Sequence, residues 1–198
     1  VQGSRPLAFE HGRSVGSMLQ TWPQEQIIKC LVQYHPDDEP MLRLEQEAQL
    51  LGLYQAALAS GHELLLEVIP PKDHPSTHPD VILRSLKRLY NLGIYPAWWK
   101  NESQPAEVWE QLDALIHERD PYCRGVVLLG LNAPAETLAA GFRQAAKSSS
   151  CRGFAVGRTI FHEPSRAWLE GEIDDADLIT RVQSNFVFLI ESWRDARA

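Results

Sequence analysis

Cysteine is scarce in this chain: Cys30, Cys123 and Cys151 are three among 198 residues, far apart and without a CxxC pair. That excludes a disulfide framework and a cysteine-based zinc site. It fits a reducing compartment, the cytoplasm, in which the three thiols fill space in a core. Basic residues are outnumbered, 19 against 26 acids, for a formal net charge of -7. Nucleic acids and anionic membranes are approached through basic surfaces, so neither is expected as a partner, and an anionic ligand must be held by a local pocket. No apolar run approaches the roughly 20 residues of a membrane span, and residues 1–5 do not resemble a signal peptide. The glycines form neither a dinucleotide fingerprint nor a P-loop. His35, His62, His74, His78, His117 and His162 share no ligand spacing, which disfavours a metal-dependent mechanism. His74 and His78 come closest and read as members of a solvated loop. No cofactor is expected.

What is present is ordinary globular material, 44% hydrophobic and 23% charged, enough for one core and one domain over residues 1–198. Residues 5–10 read as a short extended piece and residues 11–17, with His11 and Arg13, as a glycine-punctuated loop. Apolar, β-branched runs at 27–34, 63–70, 93–102, 125–131 and 153–161 read as strands. Between them lie helical patterns. The first is capped by Asp37 or Asp38, has Pro40 at N1, carries a stripe of Leu44, Ala48, Leu51, Tyr54 and Leu58, and stops at Gly61. The second opens at Asp80 and buries Ile82, Leu86, Leu89 and Tyr90. The third, 105–118, is capped by Ser103 and buries Val108, Leu112, Leu115 and Ile116. A fourth covers 134–146, and two more lie near Trp168 and over 174–194. Strict alternation of apolar strands with helices indicates an α/β class with parallel strands covered on both faces.

Lys29, Glu67, Lys100, Gly130 and Gly157 are separated by 38, 33, 30 and 27 residues, about one βα unit each. That regularity suits a (β/α)₈ TIM barrel better than a flavodoxin-like sheet, which spacing alone does not exclude. A full barrel takes about 250 residues, and the chain starts at Val1 rather than Met. Two or three βα units are therefore expected to precede it, and the 27–34 edge is expected to be paired.

Trp98, Lys100 and Glu102 are two residues apart, so a strand points them to one face, with Lys100 against tryptophan walls. Lys29, Glu67, Lys100 and Glu102 put two cations and two acids inside apolar strands, where unpaired charges cost several kcal/mol each. They are expected to gather around a common cavity near the carboxyl ends of the strands. A desolvated lysine beside a second cation becomes a nucleophile able to form a Schiff base, and a neighbouring carboxylate moves protons. A non-reactive ion-pair network is the alternative. Gly130 and the Gly157-Arg158 pair precede helices and read as a phosphate-binding end, in which glycine admits a backbone N–H and arginine adds a forked donor.

The segments Ile28-Lys29-Cys30-Leu31, Leu65-Leu66-Glu67, Trp98-Trp99-Lys100, Tyr34-His35-Pro36-Asp37-Asp38 and the 153–161 stretch containing Val156-Gly157-Arg158-Thr159-Ile160-Phe161 carry a resemblance. They resemble the aldolase-like domain fused behind a sugar kinase, 5-dehydro-2-deoxygluconokinase, in bacterial myo-inositol catabolism. That domain is similar in turn to the tagatose-bisphosphate branch of class I aldolases. The resemblance covers residues 5–194 and implies a TIM barrel that cleaves 6-phospho-5-dehydro-2-deoxygluconate to dihydroxyacetone phosphate and malonate semialdehyde. It matches Lys100 to the Schiff-base lysine, Lys29 and Glu67 to the strand lysine and glutamate beside it, and Gly157-Arg158 to the phosphate-binding end. The leading reading then gives Glu67 the acid/base role and adds Gly130 and Glu102 to the substrate- and phosphate-binding residues. Asn101 departs from the pattern, standing where an apolar residue is expected. The rival reading is a non-catalytic phosphosugar-binding or regulatory module attached to the kinase. Homo-oligomerisation stays open.

Overall fold

The apolar segments become strands because β-branched and large apolar side chains at alternate positions fit a pleated surface with one buried face. The computed structural model describes residues 3–10, 15–76 and 78–198; His11 and Arg13 lie outside them. In chain order the elements are α1 (Val15–Leu19), β1 (Ile28–Gln33), α2 (Pro40–Ser60), β2 (Leu64–Ile69), α3 (Val81–Asn91) and β3 (Trp98–Asn101), followed by α4 (Ala106–Arg119), β4 (Gly125–Leu129), α5 (Ala135–Gln144), β5 (Cys151–Ala155), α6 (Arg158–Leu169) and α7 (Asp175–Ala196). The strands form one parallel sheet in the order β1-β2-β3-β4-β5. Strand order never reverses, so the sheet is α/β but not doubly wound. No helix among the described residues is long and apolar enough to cross a membrane.

A sequential order sends every right-handed crossover to the same side of the sheet. The expectation of cover on both faces is corrected accordingly. Ile28, Cys30 and Val32 of β1, Leu64, Leu66 and Val68 of β2, and Trp99, Val126 and Leu128 turn towards the helices and join one buried core. The alternate residues Lys29, Leu31, Leu65, Trp98, Lys100 and Val127 lie on the other face, exposed or half-buried. Glu67, only 4% exposed, is buried on that face, as are Ile69 and Leu129 nearer the carboxyl ends of their strands. Among the described residues β1 pairs with β2 alone, so the expected second partner of its edge is not found there. Leu7, Phe9 and Leu19 stand beside β1 instead, around a cavity of about 640 Å³.

Several local expectations change for identifiable reasons. Residues 5–10 form no strand, and residues 15–17 belong to α1 rather than to a loop. Glu39, not an aspartate, caps α2, its Oε2 accepting from the N–H groups of Met41 at 2.9 Å and Leu42 at 3.2 Å. Gly61 does end that helix, in the left-handed conformation at φ 75°. The α2 face turned to the core carries Gln46, Glu47, Leu50, Leu53 and Ala57. Leu44 and Leu58 of the expected stripe are exposed. Ser103 does not cap α4; its hydroxyl donates to the Gly141 carbonyl at 3.0 Å. Burial pushes all three cysteine thiols up to about 11, so they stay protonated and unreactive at neutral pH.

Candidate functional site

The centre of the uncovered face is a carboxylate held between two ammonium groups. Glu67 is in register with Leu31 of β1 and Lys100 of β3. Its Oε2 lies 2.5 Å from Lys29 Nζ and 3.4 Å from Lys100 Nζ. Neither contact has hydrogen-bond alignment at that oxygen, so both are ion pairs. Lys29 sits near the amino end of β1, not the carboxyl end, and its long side chain reaches one pleat along the sheet to Glu67. The side chain of Lys29 is 46% exposed and that of Lys100 17%. A lone carboxylate at this depth would cost several kcal/mol; two cations on one oxygen offset that cost. The expected tryptophan walls reduce to Trp98, which shares the face of Lys100 and donates its indole N–H to Glu63 at 3.0 Å. Trp99 points the other way, into the core, and donates to the Tyr90 hydroxyl at 2.8 Å.

Lys29, Glu67, Lys100, Gly130, Gly157 and Arg158 line one cavity of about 350 Å³ at the carboxyl ends of the strands. Six of the seven expected site residues therefore meet. Glu102 does not join them. β3 ends at Asn101, and Glu102 lines an adjoining cavity of about 410 Å³ with Lys72 and Ser103. The two cavities share Leu129, Gly130 and Leu131. Burial raises the Glu102 carboxyl above its ordinary pKa, and the nearby Lys72 opposes the shift.

The far wall of the cavity is the start of α6. The expected fifth strand stops at Ala155, and Arg158 to Phe161 are helical. No side chain caps this helix, so its first N–H groups, at the positive end of the helix dipole, are available to an external acceptor. Arg158 stands at that end. Gly130 is glycine for a reason other than anion access: a Cβ there would lie 2.9 Å from Val156 Cγ1. Its lack of a side chain lets the end of β4 approach the segment leading into α6. Next to it Leu131 and Asn132 both adopt left-handed backbone, φ 44° and 64°, which is uncommon outside glycine and collects at functional sites. Thr159 Oγ1 donates to the Ala133 carbonyl at 2.9 Å, tying the first turn of α6 to the loop after β4. Sequence reasoning missed Leu131, Asn132 and Thr159. Asn132, a residue tolerant of left-handed backbone, was the one readable signal.

Asn101, the departure noted in the sequence, lies on the core side of β3, fully buried, with neither amide atom hydrogen-bonded. The solvated-loop reading of the histidines holds for His78 but is corrected for His74, whose ring stacks on that of buried His35 at a centroid distance of 3.5 Å. Among the described residues, no group of three or more His, Cys, Asp or Glu side chains is arranged to hold a metal.

A parallel sheet with helices on one face and a lysine-carboxylate-lysine group opening into a cavity at its strand ends defines an α/β protein whose cavity lies where ligands bind in such folds. The chain belongs to the DUF2090 family, described as an uncharacterized protein conserved in bacteria, which it matches over residues 1–197. No curated protein matches the chain.

Proposed function

We propose that this chain is the catalytic part of a barrel-type class I aldolase acting on a phosphorylated keto sugar acid. The reading is supported by the single carboxylate oxygen shared by Lys29 and Lys100 inside a cavity whose opposite wall is the uncapped start of α6 with Arg158. The resemblance in sequence supplies the substrate: 6-phospho-5-dehydro-2-deoxygluconate, split into dihydroxyacetone phosphate and malonate semialdehyde. The cytoplasm as its compartment and an upstream sugar kinase in the parent polypeptide belong to the same reading, which requires no metal and no cofactor.

In this scheme Lys100 gives a proton to solvent, its Nζ amine attacks the keto carbonyl, and the carbinolamine hydroxyl, protonated in turn from solvent, leaves as water to give an iminium. The substrate carbon–carbon bond then breaks, its electron pair passing into the iminium to form an enamine. The hydroxyl proton on the departing fragment goes to Glu67, which afterwards returns a proton to the enamine carbon. Hydrolysis of the new iminium frees the second product and restores the amine. Lys29 holds Glu67 in place through its ion pair. The phosphate rests on the first N–H groups of α6 and on Arg158, whose fork matches two phosphate oxygens.

Borohydride reduces an iminium to a stable secondary amine. Treatment with dihydroxyacetone phosphate and borohydride should add one reduced substrate unit to the peptide carrying Lys100, read by mass spectrometry. Labelling at Lys29 would exchange the two lysine roles within the same class. Absence of an adduct at every lysine, in a sample that binds the phosphosugar, would instead indicate the non-catalytic binding module. A second measurement concerns the far wall. Arg158→Ala should weaken binding of the phosphorylated ligand by about 1.5–3 kcal/mol, the range for a hydrogen bond to a charged group. Calorimetry with phosphorylated and unphosphorylated sugar checks this, and equal affinities for the two would remove the phosphate assignment.

A further inference from the structure

The first part of the loop from β2 to α3 is fastened beyond the carboxyl end of β1 by two imidazole rings, His35 from the segment that follows β1 and His74 from the loop, stacked with an interplanar angle of 15°. The bonds to His35 fix its proton. The Asp37 backbone N–H donates to His35 Nδ1 at 3.1 Å, so Nδ1 is an acceptor. His35 Nε2 then carries the hydrogen and donates it to the Ser76 carbonyl at 3.2 Å. The Ser76 backbone N–H donates to His74 Nδ1 at 3.1 Å, the same nitrogen lies 3.3 Å from the Ser76 carbonyl, and His74 Nε2 lies 3.7 Å from Asp38 Oδ1. His35 is therefore neutral in the fastened arrangement. A proton added to His35 Nδ1 would face the Asp37 N–H head-on and put a cation against the His74 ring in a site where His35 is 1% exposed.

We infer that residues 70–76, which follow β2, are a proton-operated latch, fastened beyond the carboxyl end of β1 while His35 is neutral and released when His35 takes a proton. Lys72 rides on this loop and lines the cavity that holds Glu102, so release withdraws an ammonium from the rim next to the lysine-carboxylate-lysine cavity. That consequence for a substrate rests on the aldolase reading; the latch itself does not.

The surrounding charges determine its direction. Burial, and then the neighbouring His74, hold the His35 pKa below its ordinary value, while Asp37, the Ser76 carbonyl and Asp38 oppose the shift. The two aspartates are themselves engaged, Asp37 by Arg84 of α3 and Asp38 by Arg5 of the N-terminal segment, and His78 is paired with Asp80. A group whose pKa is lowered in the closed form binds its proton more readily when open. The latch is therefore fully closed above the ordinary histidine value of about 6.5 and weakens by about tenfold per pH unit below it, until the closed-form pKa is reached.

Hydrogen exchange of the whole chain, corrected for the intrinsic pH dependence of exchange, tests this directly. The amides of His74 and Ser76, which donate to the Pro71 carbonyl and to His74 Nδ1, should lose protection by about tenfold per pH unit below pH 6.5. The amides of β2 should keep theirs. In His35→Asn, which retains an acceptor for the Asp37 N–H and cannot titrate, that pH dependence should vanish. Should this variant fail to fold, long-range nitrogen NMR of the wild-type imidazoles serves instead, with His35 expected as the Nε2–H form and its titration tracking the loss of loop protection. Protection unchanged from pH 8 to 5.5, or the same pH dependence in His35→Asn, would overturn the latch. Lys100→Ala should leave all these readouts untouched, so failure of the aldolase reading and failure of the latch are separate results.

Discussion

Lys100→Ala should eliminate cleavage of the phosphorylated substrate, a loss on the order of 10⁶-fold in kcat if the scale of deleting a covalent nucleophile applies, together with the borohydride adduct. Of the two lysines that line the cavity, Lys100 is the more enclosed. Lys29 is near the same carboxylate oxygen, but it starts from the amino end of β1 and its side chain is 46% exposed against 17% for Lys100. Glu67→Gln should behave differently. The amide leaves the cavity its shape and the Lys100 amine its access to the carbonyl, so the adduct should still form, while turnover falls by roughly 10²–10⁴-fold for loss of the acid/base group. Arg158→Ala should weaken ligand binding and leave trapping at saturating ligand intact. Steady-state kinetics of the three variants beside single-turnover trapping distinguishes the roles. A Lys100→Ala protein that retains cleavage at more than a hundredth of the parent rate would sink the assignment.

The second large effect is on stability and lies far from that cavity. Glu47, 4% exposed on the core side of α2, accepts from Arg88 Nε and Nη2 of α3, both at 2.9 Å, and from the Tyr34 hydroxyl at 2.7 Å. Burial alone would oppose its ionisation, but the Arg88 and Tyr34 hydrogen bonds outweigh burial and hold the carboxyl below its ordinary value. Glu47→Ala leaves a guanidinium and a phenol without their acceptor between two helices and the end of β1. Arg88 keeps solvent access, its side chain 39% exposed, so the cost is that of leaving donors without their acceptor, about 1–3 kcal/mol, and urea denaturation should show it as a lowered midpoint with unchanged slope. A carboxyl with a depressed folded-state pKa contributes stability above its unfolded value, near 4.5, and that contribution is lost as pH falls through the folded value. The variant's deficit should therefore be full at neutral pH and shrink in acid. A cost below 1 kcal/mol at pH 7 would show that the network carries little.

This network also marks where the sequence was hard to read. A stripe drawn through Leu44 and Leu58 follows apolar identity, yet α2 turns Glu47 inward because Arg88, 41 positions away, supplies the neutralising charge. Nothing local in residues 40–60 signals it. The strands were legible because each apolar run is bounded by turn residues, and the expected buried residues of α3 and α4 are all buried. The exception was the stretch 156–161. Its β-branched Val156, Thr159 and Ile160 read as strand, whereas the chain has already left the sheet and entered α6, where Ile160 packs into the core. Of the candidate site, the charged residues announced themselves by standing inside apolar runs. Glu102 was drawn in by a two-residue count that outlasted the strand. His74 was read as solvated because its stacking partner, His35, arrives from the segment after β1, 39 positions earlier in the chain.

The strictly sequential strand order has a consequence for how the molecule is made. Every strand pairs only with strands next to it in the chain, so each new βα unit can add to an edge already formed, with loop closures of one unit rather than of the whole chain. Pairing between sequence neighbours keeps contact order low for a parallel sheet and favours growth from the amino end during synthesis. Along that route Lys29 and Glu67 meet when β2 docks, before Lys100 exists in folded form. The carboxylate is neutralised from the start, and β3 then delivers Lys100 to a group whose charge has already been balanced.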